Sequence, residues 1–345
     1  MRPPASGGRR ERGGRWCAFV LACLGGCADD PVAATARQRH GRLGSLRDLV
    51  LFERPGLSPA QSLFVDRFEV TRADWAEFAA TAAGRALDAD AVAVGGDGAL
   101  PVAGIDLLQA RAFATWRCLR LPTRAEWTLV ATGNGRSRFP WGDDQNGSRA
   151  NTGELGLLSA TPVGTFESGR RTGGEQPYDL IGNVSEWTET VPTRWFQDEL
   201  DSIAAQPRVR DGLLASRATS VWSTAPGVFP SMWLVEPGGA TVPREVVGAD
   251  FQSPMDVLVE AVPGGDRRQR TGVRLYGTAT DVVAGLGALT DEPTIAEVGQ
   301  LRDFVLRTGH REVLAFALVL AVPAKPTPFT LLLAQLTGVN VELPR

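Results

Sequence analysis

The residues best suited to nucleophilic, redox or metal chemistry in this 345-residue chain are four cysteines and two histidines. Their spacing restricts that chemistry sharply. His40 and His310 stand near opposite ends, and neither has a second histidine or a cysteine pair close by. A three-histidine iron site, a Cys2His2 zinc site and an HExxH zinc site are excluded by counting. A Ser-His-Asp triad would have to recruit one of these two residues. Cys17, Cys23 and Cys27 cluster near the N-terminus, and only Cys118 lies in the body of the chain. A lone cysteine on an apolar helix reads as a small, inert hydrophobe.

The N-terminal cysteines belong to an address. Arg9, Arg10, Arg12 and Arg15 form a positive region, followed by the apolar run Trp16–Leu24. That run is too short to span a bilayer of ~30 Å as a helix. It ends in Leu24-Gly25-Gly26-Cys27, which resembles the bacterial lipobox, in which the cysteine is acylated after cleavage. The alternative is an ordinary cleaved signal or a buried apolar segment. Residues 1–26 are thus expected to be a lipoprotein signal peptide and residues 27–45 a polar tether. Ala28 follows Cys27 and favours the outer membrane, with the domain periplasmic or surface-exposed. Loss of residues 1–26 would move the net charge from −3 to −7. A mildly acidic surface argues against nucleic-acid binding and against a polybasic membrane patch.

Such sites need elements to hold them. The chain has 39 glycines and 23 prolines, which favours a loop-rich fold over a helical bundle. Phe64–Val70 alternates and reads as a strand. Thr71 and Asp74 then mark a helix start. A second helix is expected over about 106–118, with Leu108, Ala112, Phe113 and Trp116 on one side. Thr123 and Glu126 mark a third start. Residues 133–185 are mostly loop, and a stretch that long needs an organiser. The candidates are a bound metal or a network of side-chain-to-backbone hydrogen bonds. Late strands are expected at 246–251 and 271–276. In the tail, Ile295–Arg307 reads as a helix, and the apolar runs Val313–Val322 and Phe329–Leu336 read as two buried strands.

Seven ordered motifs span residues 64–277. They are Phe68-Glu69-Val70-Thr71, Pro101-Val102 with Asp106 and Ala110, Arg120–Trp127, Phe139–Asp143, Ala150-Asn151-Thr152, Thr161–Phe166, and Tyr178–Thr188 containing Gly182-Asn183-Val184-Ser185-Glu186-Trp187. Two degenerate ones follow, Val246–Phe251 and Gly272-Val273-Arg274. Together they resemble the formylglycine-generating enzyme, or sulfatase-modifying factor, family. The resemblance implies an irregular, loop-rich α+β domain over 46–277, of the kind shared with C-type lectin-like folds. Residues 278–345 would then be a small C-terminal extension of unassigned role.

The resemblance also implies site residues. In the family the Gly-Asn-Val loop helps hold a structural calcium, which carries over to Glu186 with carbonyls near Ile181, Gly182 and Val184. Calcium takes six to eight oxygens, and loop carbonyls supply them. The other reading of Glu186 is an acceptor that caps a turn. A second family site begins at the equivalent of Asn151 and Thr152, but its closing Asp is missing and only Glu154 is nearby, so that site is lost or remodelled. Trp127, Trp141 and Trp187 read as core. Arg274 reads as a buried arginine paired with Glu126 or Asp179.

The oxidase chemistry is what fails to carry over. Active members use two cysteines that bind copper and handle the substrate thiol. The equivalent positions here are Ser253 and Leu258, and the motif serine before the aromatic is Asp250. A hydroxyl is a poor ligand for soft Cu(I), and leucine is none. No cysteine follows Cys118, so a shifted alignment cannot restore the pair. The histidine iron ligands of the related sulfoxide-synthase branch are absent too. No copper is therefore expected, and the residues point away from an enzyme. They favour a pseudoenzyme-like binding or scaffold module, anchored in the membrane through Cys27, with a protein or glycan ligand. The alternative is an oxidase that converts a sulfatase cysteine to formylglycine with an unrecognised ligand set.

Overall fold

Strand β2, Leu63–Asp66, is buried along its whole length and forms the middle of a three-stranded antiparallel sheet. The computed structural model describes residues 43, 45–54, 56–92, 95–193, 243–321 and 325–341. The signal, Cys27 and the tether to residue 42 lie outside the described residues, as do Trp195, Trp222 and Trp233. β2 pairs on one side with β1, Leu49–Phe52, in the register Leu49 to Asp66. On the other it pairs with β7, Tyr276–Thr278, with Leu63 opposite Thr278. The first and last strands of the domain thus meet across β2.

A second sheet of four short strands has the order β5-β4-β3-β6. These are β3 (Ser185–Trp187), β4 (Arg244–Val247), β5 (Val259–Val262) and β6 (Thr271–Gly272). Only the β3–β6 pair is parallel. Both late strands are shorter than the sequence suggests. The first ends at Val247 because Gly248 and Ala249 take positive φ (96° and 60°) and turn the chain.

The early helices begin where their caps predict. α1 (Arg72–Ala79), the short α2 (Ala82–Ala86), α3 (Leu107–Trp116) and α4 (Arg124–Thr132) follow in order. Thr71, Asp106 and Thr123 each accept from the amide three residues on, and the side chain at that third position bonds back. Each box satisfies two amides that a helix start leaves without intrahelical partners. The buried face of α3 is Leu107, Gln109, Ala110, Phe113, Ala114 and Trp116. Leu108 is 52% exposed, so the stripe lies about one residue from the expected one. Gln109 replaces it because its Nε2 donates to the Leu87 carbonyl at 2.9 Å, a polar anchor that an apolar pattern does not predict. Trp75, Phe78, Phe113 and Trp116 form an aromatic cluster with ring centroids 5.3 to 5.7 Å apart.

The tail corrects the expectation of strands. After α5 (Ala279–Gly287) and α6 (Ile295–Val305), the two apolar runs form helices α7 (His310–Ala321) and α8 (Pro328–Thr337). A continuous apolar run does not distinguish a buried strand from a buried helix. The ends do: Thr327 caps α8, Pro328 occupies its first turn, and Gly338 closes it at φ 81°. The runs are also rich in Leu and Ala, which favour helix. Phe304, Leu314, Leu318, Phe329 and Leu333 share one apolar cluster with Phe64, Phe113 and Trp187. The extension is therefore built into the domain's core. No helix among the described residues is long and apolar enough to cross a membrane.

Candidate functional site

Arg274 is fully buried between the two sheets, and every guanidinium N–H has an acceptor. Nε donates to Glu186 Oε1 at 2.8 Å. Nη1 donates to the carbonyls of Asp66 (3.1 Å) and Arg67 (3.0 Å). Nη2 donates to the carbonyls of Tyr178 (2.7 Å) and Asp179 (3.3 Å). One side chain thereby ties the end of β2, the long loop and β3 together. The expected carboxylate partners are corrected: Glu126 bonds Arg120 at 2.7 and 2.8 Å, and Asp179 offers Arg274 its carbonyl. Glu126 was unavailable because it also completes the cap of α4.

Beside this pair runs a second buried network. Glu69 accepts from the Val184 amide at 3.0 Å and from Asn183 Nδ2 at 2.7 Å. Asn183 sits at φ 61°, and its Oδ1 accepts from the Thr161 amide (2.9 Å) and Asn151 Nδ2 (3.2 Å). Asp179 Oδ2 accepts from the Gly164 amide at 2.7 Å. Gly182 fits tightly, because a Cβ there would lie 2.5 Å from the Asn151 carbonyl oxygen. Side-chain hydrogen bonds are thus an organiser of the loop over 133–185. Burial pushes the Asp66 and Glu186 carboxyls up to about 7 and raises Glu69 and Asp179 as well, against the downward pull of Arg274. The sequence singled out Glu186, Arg274 and Asp179 but missed Glu69 and Asn183 as network members. Their presence inside the Phe-Glu-Val-Thr and Tyr-Asp…Gly-Asn-Val motifs was the available signal.

The structure brings several of the predicted metal residues together. Asn151 and Thr152 adjoin Gly182 and Asn183, as their hydrogen bonds and close contacts require. Glu186, however, spends one oxygen on Arg274, and an arginine within hydrogen-bonding distance repels a cation. Among the side chains of the predicted metal residues, Asn151 Oδ1 and Glu186 Oε2 are buried without a hydrogen-bond partner among the described residues. Calcium takes six to eight oxygens, so backbone carbonyls of the loop would have to supply most of them, and the guanidinium of Arg274 opposes a cation at Glu186. Ile181 and Val184 are buried with the same loop. Of the tryptophans, Trp127 and Trp187 are core, whereas Trp141 is half-buried and stacks on Phe139 at 5.1 Å.

The segment 250–258 holds Asp250, Ser253 and Leu258, the positions that the sequence resemblance sets against the family's reactive residues. Asp250 is buried and fully occupied: it accepts from the amides of Gln252 (2.8 Å) and Ser253 (3.0 Å), and Arg270 Nη1 pairs with it at 3.0 Å. Ser253 Oγ donates to Asp250 Oδ2 at 2.7 Å, closing the turn on itself. Leu258 is half-buried and packs on the cluster of Trp127, Phe139, Leu180 and Val247. Glu154 grips this turn from the neighbouring loop by accepting from the Met255 amide at 2.9 Å. Here Glu154 takes a structural role in the remodelled Asn151 loop. The described histidine, His310, is far from a triad arrangement: it is buried edge-on between Phe64 (5.0 Å) and Phe304 (4.7 Å). Cys118 is in no disulfide, and it sits at φ 55° where α3 ends.

Comparison with known proteins agrees with this scaffold. The model of the sulfatase-modifying factor enzyme 1-like domain matches residues 57–221. A formylglycine-generating enzyme of Mycobacterium tuberculosis is 37% identical over 103 residues, 26% of this chain and 33% of that protein. One from Thermomonospora curvata is 32% identical over 123 residues, 31% of this chain and 39% of that protein. An inactive Cα-formylglycine-generating enzyme 2 of Bos taurus is 35% identical over 99 residues, 26% of this chain and 32% of that protein. The chain spans about a third of the length of these relatives. Glu69, Asn183, Glu186 and Arg274, the motif residues, are those that hold its loops to its sheets, and on that likeness the chain carries a sulfatase-modifying-factor, formylglycine-generating-enzyme-like domain.

Proposed function

We propose that this domain is a non-catalytic binding or scaffold module of the bacterial cell envelope, held to a membrane by lipid on Cys27. The observation that carries the reading is the state of the turn 250–258. Its serine is bonded to Asp250, its carboxylate to Arg270 and two amides, and its leucine to an apolar core. At the two positions that the resemblance gives to the copper-binding cysteines stand a bonded hydroxyl and a hydrocarbon, neither of which is a good ligand for Cu(I). The motif residues that survive are those that fold the loops, so the scaffold persists without the chemistry. The inactive relative of Bos taurus is a precedent for such a member by its name. The outer membrane is the favoured location, from Ala28 after the lipobox cysteine.

The alternative, a formylglycine-generating oxidase with another ligand set, makes the opposite prediction in one assay. The folded chain is incubated with a Cys-x-Pro-x-Arg peptide, with and without copper, and the peptide is weighed by mass spectrometry. The expected result is an unchanged thiol mass. Copper-dependent conversion to the aldehyde would overturn the non-catalytic reading. Metabolic labelling with a fatty acid, lost in Cys27→Ala, tests the anchor separately.

A further inference from the structure

Outside the turn 250–258 lies a cleft of about 320 Å³ whose lining includes Arg149, Glu167, Arg170, Arg171, Gly173 and Gly174. The lining carries three arginines and one glutamate, an excess of two positive charges on a chain that is acidic overall. Like charges crowded in this way repel unless a counter-charge joins them. Glu167 does not supply enough, since it already accepts from Arg170 and from the Tyr178 hydroxyl.

The cleft is held in shape by backbone fit. A Cβ on Gly169 would lie 2.3 Å from the Arg149 carbonyl oxygen, so only glycine lets the two loop arms meet there. Arg149 Nη1 fastens the same junction by donating to the Ser168 carbonyl at 3.0 Å. Arg170 lies over the Tyr178 ring, 4.3 Å from its centroid, and its Nε is buried with no hydrogen-bond partner among the described residues. Arg171 reaches the C-terminal end of α4, where its contact with the Val130 carbonyl is long at 3.5 Å. Arg149 and Arg171 are each held by one hydrogen bond, and Arg170 by Glu167 and the Tyr178 ring. Gly173 and Gly174 follow at φ 91° and 64°, with no atom near their missing side chains. They open one wall of the cleft to backbone approach.

We infer that this cleft binds a divalent tetrahedral oxyanion, a phosphate or sulfate group, carried free or as the monoester of a small polar molecule. Guanidinium forks match tetrahedral oxyanions with paired N–H donors, and two excess charges match a dianion better than a carboxylate. The volume lies at the small end of ligand pockets, enough for the anion and one sugar-sized body. The inference rests on the binding-module reading and names the ligand class of one of its surfaces.

The test is calorimetry on the folded chain at low ionic strength with inorganic phosphate, inorganic sulfate and glucose 6-phosphate. Binding is expected for at least one of them, weakened tenfold or more by Arg149→Gln with Arg170→Gln. An ester that binds well above the inorganic ions marks the ester as the ligand, and equal binding marks the free ion. Arg149→Gln alone guards against misfolding, because Arg149 holds a single backbone bond at the rim. Arg149→Lys should keep part of the affinity, as charge survives without the fork. No binding by any probe up to roughly 10 mM, a range weaker than about 2.7 kcal/mol of affinity, would overturn the inference. So would binding that the arginine variants leave unchanged. Either failure would leave the peptide assay, and the non-catalytic reading it tests, untouched.

Discussion

At the scale of the residue, the decisive group is Arg274, whose burial is tolerable only because all its donors are used. Removing one side of such a pair strands the other charge and four carbonyls. Arg274→Met is expected to lower stability by about 3–5 kcal/mol, read as a shift of the urea midpoint. Glu186→Gln keeps an acceptor for Nε and should cost only about 1 kcal/mol. Equal losses would mean that the charge of Glu186, rather than its bond, carries the pair. The buried carboxyls also set a pH dependence. Asp66 and Glu186 titrate at about 7 in the folded state because burial disfavours their charged forms. Between the ordinary carboxylate range and pH 7 the native form holds protons that the unfolded form has released. Their contribution is therefore fully present below about pH 4 and lost as pH rises through about 7. His310 acts oppositely: burial lowers it to about 4, so its contribution is present above about 6.5 and is lost as pH falls towards 4. Asp66→Asn should flatten the carboxyl decline between pH 5 and 8 in urea titrations. An unchanged slope would rule out Asp66 as its source.

At the scale of the element, glycine and cap positions decide where helices and loops stop. Gly182 stands at φ 86° with the Asn151 carbonyl oxygen 2.5 Å from any added Cβ. Gly182→Ala combines backbone strain with a backbone clash, and a loss of about 2–4 kcal/mol is expected in denaturant unfolding. A neutral result would show that the two loops can separate without cost. The capping boxes at Thr71, Thr123, Thr278 and Thr294 were all within reach of the sequence, because a Thr followed three residues later by an acid is a local signal. The helical state of α7 and α8 was readable in part from Thr327-Pro328 and Gly338. The apolar run between such signals carries no period, and so favoured the wrong element.

At the scale of the whole molecule, the last four helices are structural members of the domain. Phe304, Leu314, Leu318, Phe329 and Leu333 are each at most 1% exposed and share the cluster of Phe64. Side chains of that size contribute about 1.5–3 kcal/mol each when fully buried. A chain ending at residue 277 should therefore fail to fold, giving no cooperative thermal transition by circular dichroism. A cooperative transition near that of the full chain would make the tail a separate addition. The same view gives the motif residues Glu69, Asn183, Glu186 and Arg274 a structural task, since they hold loops to sheets.

By itself the sequence determined the family resemblance and the early helix starts. Each depends on residue identity at short spacing, which a linear chain displays directly. Only the tertiary structure decided that Arg274 belongs to Glu186, that Glu69 and Asn183 lock the loop, and that three arginines share one cleft. Those pairings join residues up to 115 positions apart, and several acids could have served each arginine. Which acid is chosen depends on where the strands and caps have already placed the others, as Glu126 shows by serving Arg120 and the start of α4.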